Sequence, residues 1–270
     1  MKDTSFWIRF RSSIILMAIT ITAMVIGGEF LFVILLGISL IGLMELYRVL
    51  KINKSVLAIS SYVACIGYYA LIYFKYQEYI FMYCILFLLV TMTVYVFSFP
   101  KFKSEHATLA FFGLFYVAIM LSYIYQVRVM EGGAFLVWLS FIGSWGSDTC
   151  AYLVGRKIGK HKMAPILSPK KSVEGLVAGI LGAALIGFLY ATFTKQYIEG
   201  FSNPQLTFTL IGGCSAAISV VGDLAASAIK RNHEVKDYGS LIPGHGGVLD
   251  RFDSIIFTAP IVYYLAQLFV

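Results

Sequence analysis

The sequence predicts an all-α fold, a polytopic bundle of transmembrane helices, and three observations lead to it. Of the 270 residues, 59% are hydrophobic and 13% are charged, whereas soluble domains carry about 25% charged residues. The mean hydropathy is +0.83. The apolar runs are long and lack the two-residue alternation of barrel strands, so the membrane-spanning segments are predicted to be helices.

About nine spans are predicted, and the polar loops between them are too short to form a soluble domain. Gly27, Gly28 and Glu29 alone separate the first two spans, so these form either a tight helical hairpin or one bent element. We expect spans 1–5 to make an N-terminal region, 1–131, and spans 6–9 a catalytic region, 132–270. The nine spans are 10–26, 29–47, 55–74, 79–99, 107–127, 133–155, 173–194, 205–229 and 252–270.

The basic residues predict the orientation of these spans. With the N-terminus in the cytoplasm, three of the 21 Lys and Arg residues fall on the opposite side, namely Lys75, Arg128 and Lys195. This strong asymmetry follows the positive-inside rule. The net charge of +7 is therefore explained by topology, and no nucleic-acid partner is expected. We predict an integral protein of a bacterial cytoplasmic membrane, with its active site facing the cytoplasm.

Chemistry concentrates in two predicted cytoplasmic loops, 156–172 and 230–251. Both mix Lys and Arg with Gly, Pro, Ser and His. Cations and exposed backbone N–H groups bind anions, and glycine lets the backbone approach them closely. Lys171, Ser172 and Glu174 stand at the start of span seven, where the helix N-terminus adds partial positive charge. The loops are thus predicted to bind phosphate.

Buried aspartates lie next to these loops. A charge at membrane depth costs several kcal/mol unless it is paired or lines a wet cavity. Asp148 lies in span six and Asp223 in span eight, while Asp250 and Asp253 begin span nine on one helix face. Carboxylates suit Mg²⁺, and cations around metal-bound phosphate are typical of phosphoryl or nucleotidyl transfer. The alternative is that each aspartate pairs with a nearby Lys or Arg.

Two further features leave alternatives open. Glu45, near the cytoplasmic end of span two, either pairs with Arg48 or reaches water, or it supports a nearby site. Span seven carries a stripe of small residues four apart, which permits close helix packing inside the bundle or across a homodimer interface. The stripe consists of Gly175, Gly179, Ala183 and Gly187.

The segment "SAIKRNHEVKDYGSLIPGHGGVLDRFD", 227–253, resembles the signature of the phosphatidate cytidylyltransferases, or CDP-diacylglycerol synthases. The stretches "SDTCAYLVGRKIGK" and "SPKKSVEG" also resemble that family, so the likeness covers roughly 145–255. Every fixed position of the signature is present: Ser227, Lys230, Arg231, Lys236, Asp237, His245, Gly246, Gly247, Asp250, Arg251 and Asp253.

The resemblance implies that CTP and phosphatidate react to give CDP-diacylglycerol and pyrophosphate, with Mg²⁺ and a monovalent cation such as K⁺ beside it. It implies Asp223, Asp250 and Asp253 as metal ligands or their support, with Asp148 as a further acid facing the cavity. Lys171, Lys230, Arg231, Lys236 and Arg251 would neutralise phosphates. Gly246 and Gly247 would bring backbone N–H groups close to them. His245 would donate a hydrogen bond to a phosphate or act as an acid/base. Ser172 and Glu174 would shape the pocket. Ser227 and Asp237 complete the signature.

Two other classes of protein compete with this interpretation. A CTP-dependent lipid kinase of the polyprenol or phytol type would move the γ-phosphate instead, but the complete signature argues against it. An ion transporter would spread its charges through the membrane depth, whereas these charges cluster at one leaflet.

Overall fold

A computed structural model describes residues 2–198 and 200–269; Val270, the last residue of the ninth predicted span, lies outside the described residues. The described chain is predominantly helical, as predicted. Its helices are α1 Lys2–Ile26, α2 Gly28–Val49, α3 Val56–Tyr73, α4 Ile80–Phe97, α5 Ser104–Gly113, α6 Met120–Val129, α7 Gly133–Phe141, α8 Ser147–Ile158, α9 Val173–Thr194, α10 Pro204–Asn232, α11 Leu249–Phe252 and α12 Ile255–Phe269. One π-helical segment, Leu114–Ile119, joins α5 to α6, and another, Ile142–Gly146, joins α7 to α8.

Within the described residues, seven helical runs are long and apolar enough to cross a membrane. They coincide with seven of the predicted spans and fit an integral membrane protein, whereas the count of nine spans is not confirmed. The sixth predicted span, 133–155, is helical but carries Ser, Gly and Asp148. The ninth corresponds to α12, whose 15 residues give about 22 Å of helix, less than the roughly 30 Å hydrocarbon core.

The first two predicted spans are separate helices. Gly27 and Gly28 have φ values of 65° and 51°, a left-handed conformation that ends a helix. A Cβ at Gly27 would stand 2.8 Å from the Arg128 guanidinium. Its Nε donates to the Met24 carbonyl at 2.9 Å, so Arg128 satisfies a terminal carbonyl of α1.

The chain divides into two compact units. Unit 1 comprises the chain up to Leu16, Phe32–Ser122 and Asp237–Arg251. Its core contains fully buried tyrosines whose hydroxyls are paired. Tyr47 donates to the Ala110 carbonyl at 2.7 Å, and Tyr69 pairs with Ser39 at 2.7 Å.

Unit 2 comprises Met17–Leu31, Tyr123–Lys236 and the chain from Phe252 onward. In it, α9 packs against both α8 and α10. A Cβ at Gly187 would come within 2.5 Å of the Phe208 carbonyl oxygen, and one at Gly179 within 2.7 Å of Ser147 Oγ. The small-residue stripe of α9 therefore serves helix packing inside this unit.

The polar stretch 156–172, predicted as a loop, is more ordered than expected. Helix α8 continues to Ile158, and the strands β1 Lys162–Ala164 and β2 Ser168–Ser172 pair antiparallel, with Lys162 opposite Ser172. These strands have no apolar alternation, which is the usual signal of a strand. The hairpin leads directly into α9.

Candidate functional site

In unit 2, an ion pair joins the β-hairpin to α10. Lys171 Nζ lies 2.6 Å from Asp223 Oδ2, and both side chains are partly exposed. Asp148 of α8 interacts electrostatically with both of these groups. Residues 148, 171 and 223 are far apart in sequence, and the fold brings their charges into one cluster.

A cavity of about 650 Å³ opens beside this cluster. Its polar lining combines the Asp148 carboxylate with four cations, and its apolar lining includes Tyr152, Met163, Leu176 and Val220. Since the cations come from both α8 and the hairpin, the pocket suits an anionic ligand with an apolar part. The four cations are Arg156, Lys162, Lys170 and Lys171.

Ser172 and Glu174, predicted to shape the pocket, hold the start of α9. Ser172 is the N-cap, and its Oγ accepts the Gly175 N–H at 3.2 Å. The Glu174 carboxylate lies 2.7 Å from His161 Nδ1 and also accepts the His161 backbone N–H. A Cβ at Gly159 would stand 2.5 Å from Ser172 Oγ, so glycine is required where α8 ends.

The remaining predicted residues of unit 2 lie on α10 and at the start of α12. Ser227, Lys230 and Arg231 occupy the last turns of α10, and the Arg231 guanidinium donates to the Val235 carbonyl at 3.3 Å. Lys236 is exposed. Asp253 is buried, and its Oδ1 accepts the Ser254 N–H at 2.8 Å.

Unit 1 contains the signature loop, which we define as Asp237–Arg251. The Asp250 carboxylate is buried, and its Oδ2 accepts the N–H groups of Tyr238 at 2.8 Å and Gly247 at 3.0 Å. Gly246 has φ 84°, and a Cβ there would stand 2.9 Å from Asp250 Oδ2. Asp250 therefore folds the loop around its own carboxylate.

The other polar residues of the signature loop differ in environment. His245 Nε2 lies 3.0 Å from Ser13 Oγ of α1. Asp237 is exposed, whereas Arg251 is partly buried.

Sequence reasoning left the role of Glu45 open, and the structure gives it definite partners. Its carboxylate, 2% exposed, accepts the backbone N–H groups of Val248 and Leu249. The signal in the sequence was an acid buried in an apolar span. The sequence did not indicate its partners, because they lie about two hundred residues further along the chain.

The structure assigns the predicted metal ligands to different units: Asp223 and Asp253 to unit 2, and Asp250 to unit 1. Across residues 2–198 and 200–269, no group of three or more His, Cys, Asp or Glu side chains is arranged to hold a metal ion. Their role as metal ligands stays a prediction, as do the catalytic and binding roles of the other residues.

The described chain thus combines seven helical runs long and apolar enough to cross a membrane with a pocket lined by four cations. Comparison with known proteins gives the family. The sequence matches the Cytidylyltransferase family over residues 7–269, and the chain belongs to this family.

Relatives named phosphatidate cytidylyltransferase occur in several bacteria. The Bacillus subtilis protein is 34% identical over 183 residues, which are 67% of this chain and 65% of that protein. The Rickettsia bellii protein is 39% identical over 158 residues, 58% of this chain and 68% of that protein. The Haemophilus influenzae protein is 43% identical over 132 residues, 49% of this chain and 46% of that protein. The aligned part thus spans about two thirds or less of these relatives' length.

Proposed function

We propose that this protein transfers the cytidylyl group from CTP to phosphatidate, giving CDP-diacylglycerol and pyrophosphate for phospholipid biosynthesis. The observation that carries the proposal is the cavity of unit 2. Four cations and the Asp148 carboxylate share its lining with apolar side chains. Family membership and the names of the relatives support the same reaction.

In the proposed reaction, a phosphate oxygen of phosphatidate attacks the α-phosphorus of CTP. The bond between that phosphorus and the α,β-bridging oxygen breaks, and pyrophosphate leaves with the bonding electron pair. The lysines and arginine of the cavity neutralise the phosphates, which is the main catalytic requirement of phosphoryl-type transfer. Lys230, Arg231, Lys236 and Arg251 are proposed to add positive charge, and His245 to donate a hydrogen bond or a proton.

The chemistry of the donor set fits Mg²⁺ bound together with a nucleotide. Mg²⁺ usually takes one or two carboxylates and completes its octahedron with phosphate oxygens and water. Asp148 and Asp223, the acids that interact around Lys171, provide such a pair. The ion would neutralise phosphate charge. Asp250 and Asp253, whose carboxylates accept backbone N–H groups, are proposed as support for the site, and K⁺ as a second ion.

We further propose nine spans with the N-terminus in the cytoplasm of a bacterium, the site facing the cytoplasm, and a catalytic region over 132–270. The distribution of Lys and Arg supports this orientation. The homodimer interface that the small-residue stripe of α9 left open is not part of this proposal, since the stripe packs within unit 2.

The direct test uses the purified protein in detergent with phosphatidate, Mg²⁺ and CTP labelled on either the α- or the γ-phosphate. We expect α-label in the lipid fraction. Label from the γ-phosphate would identify a lipid kinase. If neither label enters the lipid, the transferase proposal fails, and ion flux in proteoliposomes becomes the assay.

A further inference from the structure

The first half of the chain contributes one carboxylate to the signature loop. Glu45 of α2 is almost fully buried, and its two oxygens accept two consecutive backbone N–H groups. Val248 donates to Oε1 at 3.0 Å and Leu249 donates to Oε2 at 2.8 Å. Hydrogen bonds to a charged group stabilise more than neutral ones, and a buried donor left without a partner is costly.

Two glycines of the signature loop enclose the same carboxylate. A Cβ at Gly247 would stand 2.5 Å from Glu45 Oε2, and a Cβ at Gly239 would overlap with Oε1. Real Cβ atoms do not approach oxygen this closely, so any side chain at either position would displace Glu45 or the loop. The absence of side chains at 239 and 247 leaves room for the glutamate.

Glu45 and Asp250 together occupy three successive amides. Gly247 donates to Asp250, and Val248 and Leu249 donate to Glu45. A run of N–H groups of this kind is an anion-binding arrangement. Here the anions are the protein's own carboxylates, so in this conformation the Gly247 N–H does not point to a phosphate. In this conformation the predicted role of Gly247 as an N–H donor to a substrate phosphate is therefore not supported.

We propose that Glu45 is a positioning residue for the signature loop. It holds the backbone at 247–249 so that His245, Asp237 and Arg251 are presented in one fixed arrangement. This inference rests on the proposed function, because the reaction that the loop serves is the cytidylyl transfer.

The primary test replaces Glu45 by Gln, which has the same shape. A glutamine must turn its NH₂ group toward one of the two N–H donors, so one charged hydrogen bond becomes a donor–donor contact. We expect kcat to fall about tenfold or more, with the KM values for CTP and phosphatidate nearly unchanged. Glu45→Asp keeps the charge and should recover part of kcat. Glu105→Gln, an exposed acid in the first turn of α5 in the same unit, is the matched control and should behave as wild type.

A readout independent of activity is amide hydrogen exchange of the peptide covering 237–250. In Glu45→Gln, exchange should speed up in this peptide and stay unchanged in the peptides of α3 and α9. Unchanged exchange and unchanged kcat would overturn the proposal. Faster exchange throughout the helices would also overturn it, because Glu45 would then support the whole fold.

A double-mutant cycle tests the close contact with Gly247 directly. Gly247→Ala should reduce kcat, and adding Glu45→Asp should restore part of it, because the shorter side chain makes room for the new methyl group. Absence of this rescue would contradict the proposed contact. If the wild-type protein transfers no α-label, the proposed function fails, and the exchange experiment still decides whether Glu45 holds the loop.

Discussion

The two charged regions of the molecule use the same side-chain chemistry for different purposes. In unit 2, cations from α8 and the β-hairpin surround a cavity, and the Lys171–Asp223 pair is partly exposed. In unit 1, the carboxylates of Glu45 and Asp250 are buried and accept backbone N–H groups. The comparison teaches that acids which look alike in the sequence take different partners, a lysine for Asp223 and backbone N–H groups for Glu45 and Asp250.

The largest expected effect is the loss of Asp223. Because Asp223→Asn removes both the partner of Lys171 and a proposed metal ligand, we expect cytidylyl transfer to fall by roughly 10²–10³-fold. The thermal transition of the detergent-solubilised protein should change little. The assay is α-label transfer over a range of Mg²⁺ concentrations, with Glu105→Gln at the start of α5 as the control. If the variant kept activity within tenfold of wild type, Asp223 would not be part of the proposed site.

A charge swap separates the functional role of this pair from a purely structural one. If Asp223 served only to pair with Lys171, the double variant Lys171→Asp with Asp223→Lys would restore the ion pair and the activity. We expect it to stay inactive, since the cation and the acid would then face the substrate from exchanged positions. Recovered activity would support the simple ion-pair explanation.

A third prediction concerns packing without charge. Gly187→Ala places a methyl group 2.5 Å from the Phe208 carbonyl oxygen, and backbone cannot move aside as a flexible side chain can. We expect a loss of about 1–3 kcal/mol in the free energy of unfolding, measured by denaturant titration in detergent. The control is Gly37→Ala in α2, where no described atom lies within 4 Å of the added Cβ. Equal stability of the two variants would contradict the packing role of the stripe.

The smallest effect is expected at the exposed edge of the hairpin. The pair between Glu174 and His161 has one highly exposed partner, and water screens such pairs effectively. Glu174→Gln should therefore change transfer activity by no more than about twofold, with Glu131→Gln as the control. A loss comparable to that of Asp223→Asn would assign Glu174 to the binding site itself.

The sequence predicts the helices and the candidate acidic residues of this protein, because both depend on the properties of residues that are neighbours in the chain. In the part of the chain that the structure describes, long apolar runs gave seven helical runs that match predicted spans, since a helix satisfies its own backbone in lipid. The aspartates of α8 and α10 could be singled out from the sequence, because an unpaired charge within an apolar span is energetically costly. The β-hairpin at 162–172 escaped prediction, because its short polar strands form through pairing and their side-chain pattern does not reveal them.

The sequence by itself determined the apolar helical character, most helix boundaries and the polar residues that are candidates for the chemistry. Tertiary structure decided which of those residues meet. It paired Lys171 with Asp223, directed the stripe of α9 toward α8 and α10, and enclosed Glu45 in a loop some two hundred residues away. The physical reason is that helix formation depends on neighbours in the chain, whereas hydrogen bonds and ion pairs depend on distances in space, which a linear pattern does not contain.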